Sequence, residues 1–470
     1  MEDYEAKVGE IGLEKVLGMA VKRGASYADV HFQSYDNEMI AVENRVLESY
    51  SSRKLCGVGI RTSVKGAMGY ASTSDLSQAS LERTLGNAIK AAKAIKGKKE
   101  TFPEIKINRA KVKSPGKINP VDISPEEKVS IALDANKAAW ISDKIKSAQT
   151  RLGLSKDFRW FMSSEGAKIT VETTLVGLMH TSIAEAGGVM EWVPHSESKC
   201  AGFEFIKSED WNTFTVGLSK LAVEAVNSKT PPAGTYSVVV DPDVIGVLLH
   251  EAFGHASEGD LVSTGESVLS SKVGTKLADE RVTIVDEGIV EGGYYCPYDD
   301  EGTRKERTVI VANGVLKSFI HDRESALQLD AKPTGNGRAQ DFENLPIVRQ
   351  TNYSMQAGDC KLEELIEDID SGVYIRGKGL TGGEVEVGMG TFTFNVGPSK
   401  LIRRGKLAET VRGVVIGGSV LETLKTIDAV GEDSAVKTNV FGGCGKMGQR
   451  ATVGFGGPHV RVRKMTVGGR

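Results

Sequence analysis

The chain has 470 residues, too many for one typical core, and its length alone points to two or three domains. Lys and Arg nearly balance Asp and Glu, leaving a formal charge of -3 with no long run of either sign, which argues against a nucleic-acid partner. No stretch reaches the apolar length of a membrane span, and Met1-Glu2-Asp3-Tyr4-Glu5 is acidic where a secretory signal is basic, so a cytoplasmic address without a membrane partner is expected.

Apolar positions at helical spacing from about Ile11 to Lys22, closed by Arg23-Gly24, predict a first helix. Ala28 to Phe32, Met39 to Val46 and Cys56 to Arg61 read as period-two strands of a small antiparallel sheet, with Asp36-Asn37 as the turn between the first two. Ser74-Asp75 opens a second helix that runs to Ile95 and stops at Lys96-Gly97-Lys98-Lys99, and a polar stretch follows from Pro103 to Pro120. Ser124 caps a third helix with Pro125 in its first turn. Strand-like stretches from about 147 to 205 precede a fourth helix from about Asp210 to Val226, so the order of the first part repeats. The chain breaks at Thr230-Pro231-Pro232-Ala233-Gly234.

Beyond the break, Tyr236 to Val240 is a buried-type strand, Asp241-Pro242-Asp243 starts a helix, and Val244 to Gly254 continues it. Short strands and turns follow, among them Val282 to Asp286, Thr308 to Val311, Val315 to Ile320 and Val411 to Ile416, with Asn313-Gly314 as a hairpin turn. The expected fold class is α+β. An N-terminal α/β domain of helices and antiparallel strands covers 1–232, in two related halves of about 1–120 and 121–232; a C-terminal mostly-β domain with one motif-bearing helix covers 233–470.

That helix carries His250-Glu251-Ala252-Phe253-Gly254-His255. A divalent cation polarises a carbonyl and lowers the pKa of water, while a nearby carboxylate accepts the proton; two histidines flanking a glutamate are a common way to assemble these groups. In the usual spacing the histidines lie at i and i+4, about 40° apart around the helix. Here they lie at i and i+5, about 140° apart on an ideal helix, too far round to share an ion. Gly254 relieves this by ending the helix or by accommodating a π-bulge. With seven histidines in the chain, chance yields such a pattern roughly once in a hundred sequences. The apolar run Val244, Ile245, Val247, Leu248 and Leu249 also buries the helix, and buried histidines and acids must satisfy one another.

A third protein ligand is needed. Glu258 and Asp260 are near, and Cys444 is distant, in a glycine-rich stretch where Lys446 is placed to favour a thiolate; spacing does not choose among the three. The five cysteines are odd in number, widely separated and form no C-x-x-C pair, which argues against a disulfide framework. Gly443-x-Gly445-x-x-Gly448 matches a dinucleotide fingerprint but lacks the helix that must follow. His31, His180, His195, His321 and His459 read as satisfied structural residues, and Asp299-Asp300-Glu301-Gly302 as a solvated turn without the spacing of a calcium loop.

The sequence resembles the TldD/PmbA metallopeptidase family over nearly its full length, specifically the branch that bears the metal motif. The resemblance rests on the His250–His255 segment with Glu258 and Asp260, on Asp299-Asp300-Glu301-Gly302-Thr303, and on Gly335-Asn336-Gly337-Arg338-Ala339. It continues through Gly382-Gly383-Glu384-Val385, Ile416-Gly417-Gly418, Cys444-Gly445-Lys446-x-Gly448-Gln449 and Thr466-Val467-Gly468-Gly469. Gly443 and the stretch Gly388-Met389-Gly390 depart from the family pattern. The resemblance implies that His250, His255 and Cys444 hold Zn2+ or another divalent metal and that Glu251 is the catalytic base. It also implies small or unfolded peptides bound as an added strand, and a homodimer or a heterodimer with a PmbA/TldE-type paralogue. Two alternatives stand beside peptide hydrolysis: a non-catalytic assembly or peptide-holding subunit, and a metal-dependent hydrolase of a non-peptide acyl substrate.

Overall fold

The computed structural model describes residues 8–95 and 105–469, so Met1 to Glu5, the stop at Lys96 to Lys99 and the start of the polar stretch at Pro103 lie outside the described residues. Helical backbone over 8–11 is interrupted at Gly12, which adopts a left-handed conformation, and α1 (Leu13–Lys22) follows. It is followed by β1 (Tyr27–Glu43), β2 (Val46–Val64), β3 (Ala67–Thr73), α2 (Gln78–Ala94) and β4 (Arg109–Lys113). Then come α3 (Pro125–Ala138), β5 (Ile145–Ser163), β6 (Lys168–Ala186), β7 (Val189–Lys199), a short helix Glu204–Ser208 and α4 (Trp211–Val226). Ser124 accepts from the Glu127 amide and Asp210 from the Thr213 amide, so both helix starts are set by side-chain caps.

The turn expected at Asp36-Asn37 does not exist. Both residues run straight through β1, which pairs with β2 on one side and β5 on the other; Asp36 faces Lys54 and Lys156. The chain turns instead at Asn44-Arg45, where both residues take positive φ as a tight two-residue hairpin requires. The two halves therefore do not form separate small sheets. Their strands join in one seven-stranded sheet in the order β3-β2-β1-β5-β6, with β4 and β7 sharing the far edge of β6 and β4 running parallel to it.

The C-terminal part holds two larger sheets. The nine-stranded sheet is centred on β8 (Gly234–Val240), which pairs with the long final strand Val460–Gly469 and with Ser371–Ile375; the strand Gly382–Glu386 lies at one edge. The six-stranded sheet includes Ile284–Glu287, Asn352–Met355 and Gly454–Gly457. Between them lies α5 (Pro242–Leu248), capped by Asp241, whose carboxylate accepts from the Val244 amide. Val244, Ile245, Leu248, Leu249 and Phe253 pack in one core with Val238 and Val240 of the first sheet and Ile284, Tyr353 and Met355 of the second. The motif helix is thus held on both faces.

The stretch Val411 to Ile416 is not one strand. It is divided at Arg412-Gly413 into Lys406–Val411 and Val414–Ser419, with Gly413 at positive φ, and Val315 to Ile320 is a strand only at Val315–Leu316. The motif helix is also not the single helix of this part: short helices lie at Gly259–Ser263, Arg323–Gln328, Leu362–Glu367 and Val420–Lys425. Asn313-Gly314 does form the hairpin turn between Thr308–Ala312 and Val315–Leu316. Among the described residues no helix is long and apolar enough to cross a membrane, and the five cysteines are free.

Candidate metal centre

The α-helical part of the motif helix ends at Leu248; Leu249–Gly254 forms a π turn, and His255–Ser257 a 3-10 turn. A π turn widens the helix and absorbs one extra residue, which compensates for the i, i+5 spacing. The rings of His250 and His255 come to 5.1 Å between centroids. Gly254 acts here through space, not through conformational freedom, since its φ of -63° and ψ of -49° are ordinary helical values. A side chain at 254 would place its Cβ 2.3 Å from Oε1 of Gln350. That amide donates from Nε2 to the His250 carbonyl at 3.0 Å, satisfying a buried backbone acceptor within the distorted turn. Gly254→Ala is accordingly expected to destabilise the metal-free protein by about 1–3 kcal/mol through overpacking. Chemical denaturation of wild type and variant measures it, and equal midpoints would contradict the role given to Gln350.

Cys444 arrives from the other end of the domain on a two-stranded hairpin, Cys444–Lys446 paired with Gln449–Ala451. Met447 and Gly448 both take positive φ at its turn, so the glycines that mimic a dinucleotide fingerprint belong to a β-hairpin. Its Sγ lies 3.0 Å from Nε2 of His255. One ligand atom from each of His250, His255 and Cys444 lies within 4.8 Å of the others, and all three side chains are buried. A zinc-type ion, bonded at about 2.0–2.3 Å, fits among donors so spaced, and two imidazoles with a thiolate are a donor set suited to it.

The electrostatics favour that donor set. Burial opposes a thiolate at Cys444, but the imidazoles of His250 and His255 outweigh it and hold the thiol down to about 5. Burial likewise disfavours charge on His250, yet Cys444 raises its pKa. His255 is raised well above its ordinary value because Glu258, and then Cys444, overcome the desolvation. Glu251 extends from the same turn, with Oε1 4.0 Å from Nε2 of His250 and Oε2 3.9 Å from Nε2 of His255. Its side chain is 43% exposed, unlike its buried neighbours, and opens into a cleft of about 670 Å³ lined by Val247, Leu261, Leu380, Val385 and Phe394.

The three candidates for a third ligand differ in placement. Glu258 puts Oε2 3.0 Å from Nδ1 of His255, the nitrogen remote from Cys444, and Asp260 is occupied by Lys446. Neither belongs to the group placed to share an ion. Lys446 also departs from expectation: its ammonium goes to Glu258 at 2.9 Å and Asp260 at 2.6 Å, and the imidazoles, not Lys446, lower the Cys444 thiol. Asp299-Asp300-Glu301 is not a solvated turn. Asp299 and Glu301 are buried, Arg61 meets Glu301 at 2.6 Å, and Arg159 meets Asp300 at 2.9 Å, tying the N-terminal sheet to the C-terminal domain. The five remaining histidines are hydrogen-bonded within the fold: His31 to Asp29, His180 to Thr150 and Ser182, His195 to Glu197, His321 to Ser325 and His459 to Asp433.

Sequence reasoning missed Arg349 and Gln350. Arg349 is fully buried and donates to the carbonyls of Cys444 and Gln449, fixing the hairpin. Arg338, inside the Gly335–Ala339 motif, donates to the Gln350 carbonyl at 2.7 Å. The available signal was two long polar residues in succession between the apolar Ile347-Val348 and Tyr353, where solvent is absent.

Family models match the chain in three segments: PmbA/TldA metallopeptidase domain 1 over 28–92, the central domain over 118–227 and the C-terminal domain over 233–469. A metalloprotease of Methanothermobacter thermautotrophicus is 36% identical, covering 96% of this chain and 97% of the relative. A zinc metalloprotease TldD homolog of Saccharolobus solfataricus is 29% identical, covering 97% and 99%. In structure, TldE from Thermococcus kodakarensis superposes with a TM-score of 0.81 at 21% identity, over 97% of this chain and all of that one, which establishes the shared fold.

Proposed function

Because the chain belongs to the TldD/PmbA metallopeptidase family, we propose that it hydrolyses peptide bonds of small or unfolded peptides at the His250, His255 and Cys444 centre, with Glu251 as general base. The observation that carries this reading is the convergence of three buried ligand side chains from two ends of the domain beside one carboxylate open to a cleft.

A zinc-type cation held by these three side chains supplies Lewis acidity toward a peptide carbonyl and lowers the pKa of water. Glu251 lies within reach of the same point, where its carboxylate takes the proton from the attacking water and returns it to the departing amine. Glu258 holds His255 by Nδ1 and so leaves Nε2 facing Cys444, where it would be free to hold a metal ion. The strand Gly382–Glu386 lies at the sheet edge and lines the cleft. Its outer backbone groups accept an extended peptide as an added strand, which favours unfolded chains over folded ones. Val247, Leu261, Val385 and Phe394 form apolar wall on which substrate side chains rest. Assembly as a dimer, with itself or with a PmbA/TldE-type paralogue, and a cytoplasmic setting belong to the same proposal, and the near balance of charge, -3 over the whole sequence, argues against a nucleic-acid partner.

Metal removal tests the reading. Purified protein is expected to carry metal in stoichiometric amount and to cleave an unstructured peptide; chelation abolishes cleavage and added Zn2+ restores it. Protein that binds no metal, or that cleaves undiminished after complete chelation, would overturn it. Cleavage of small esters but no peptides would instead assign the centre to a non-peptide acyl substrate.

A further inference from the structure

The hairpin that delivers Cys444 pairs with neither of the large sheets; Cys444–Lys446 and Gln449–Ala451 form a two-stranded sheet of their own. An isolated hairpin is marginal in water, so the position of the Cys444 sulfur depends on what anchors the hairpin. Two sets of anchors exist. Arg349 donates to the carbonyls of Cys444 and Gln449, and the Gln449 side chain donates to Leu345 and accepts from the Gln340 amide. All of these reach the segment 340–349.

Lys446 is different, because its ammonium reaches the residues that follow the motif itself. It meets Glu258 Oε2 at 2.9 Å, both oxygens of Asp260 at 2.6 and 2.7 Å, and the Val348 carbonyl at 3.2 Å. Lys446 stands two residues from Cys444 on one strand, so the two side chains project from the same face. The same Glu258 oxygen is 3.0 Å from Nδ1 of His255. One carboxylate oxygen therefore joins a ligand ring on the motif helix to the strand that carries the sulfur, and Glu258 has no exposed surface at all.

We propose that Lys446 is a positioning residue: by bridging Glu258 and Asp260 it docks the Cys444 hairpin on the motif segment and fixes the spacing of the metal-binding side chains. The assignment rests on the metal reading above and goes beyond it, since Lys446 is not among the side chains placed to share an ion. A lysine that merely stabilised the fold would be replaceable at a cost in melting temperature alone. A positioning lysine sets metal affinity, and arginine, which keeps the charge and can span two carboxylates, restores it.

The test is the Zn2+ dissociation constant of the full chain, measured by chelator competition for wild type, Lys446→Met, Lys446→Arg and Asp260→Asn, with thermal unfolding of each metal-free protein as the control. Lys446→Met is expected to weaken Zn2+ binding roughly 10–100-fold, as loss of an outer-shell partner does. In that variant, Zn2+ should protect Cys444 from alkylation only at correspondingly higher concentration. Lys446→Arg should recover most of the affinity. Asp260→Asn removes one end of the bridge at a partly exposed site and should show a smaller loss in the same direction, so the proposal stays testable if Lys446→Met does not fold. Wild-type affinity in Lys446→Met, or in Asp260→Asn, would overturn the positioning role. A wild-type chain that binds no Zn2+ would overturn the metal reading itself, and the two failures are distinguished by the wild-type measurement alone.

Discussion

Glu251→Gln is expected to lower peptide turnover about 10²–10⁴-fold, the range that a positioned acid–base group contributes, with Zn2+ still bound in stoichiometric amount. Glutamine preserves the size of the side chain and its place beside Nε2 of both histidines, 4.0 and 3.9 Å away, but it cannot take a proton from water. Because Glu251 reaches into the cleft and its side chain is 43% exposed, the substitution should shift stability by no more than about 0.5 kcal/mol. The loss should fall on kcat with little change in KM, since the removed group acts on the proton and not on the bound chain. A metal-loaded Glu251→Gln enzyme with full turnover would remove the residue from the mechanism. Residual cleavage near the uncatalysed rate in wild type itself would favour a subunit that holds peptides without cutting them.

What the sequence makes legible is local. Ser124 and Asp241 announce helix starts because a capping side chain bonds an amide three residues on, and Asn313-Gly314 announces a hairpin because few residues tolerate two positive φ values. The i, i+5 spacing announces distortion of the motif helix for the same reason: angles around a helix follow from counting residues. The larger failures depend on partners far along the chain. Asp36-Asn37 has the composition of a turn but lies between two neighbouring strands that bond it from both sides. The acidic turn at Asp299 to Glu301 looks solvated until Arg61, 240 residues away from Glu301, and Arg159, 141 away from Asp300, are placed beside it. Gln350 lies 100 residues from the carbonyl it satisfies, and Lys446 lies 186 from Asp260. No periodicity carries information over such separations, so the centre's candidate ligands could be proposed from the sequence while their supports could not.

The second large effect concerns Cys444, the candidate ligand that spacing could not select. Cys444→Ala is expected to reduce Zn2+ affinity by more than the roughly 10–100-fold that loss of an outer-shell partner costs, because it removes a donor and leaves two imidazoles. Peptide cleavage should fall with metal occupancy and return only in part at high Zn2+. The change should also be visible without metal. In the intact chain Cys444 raises the pKa of both His250 and His255, so the alanine variant should titrate both imidazoles at lower pH than wild type, measurable by NMR of the metal-free proteins. His255 should keep the larger share of its elevation, since Glu258 remains 3.0 Å from Nδ1. Undiminished Zn2+ affinity in Cys444→Ala would mean that an acidic neighbour completes the centre. Glu258 is poorly placed to do so, because it meets His255 through Oε2 at Nδ1, on the side of the ring remote from the sulfur.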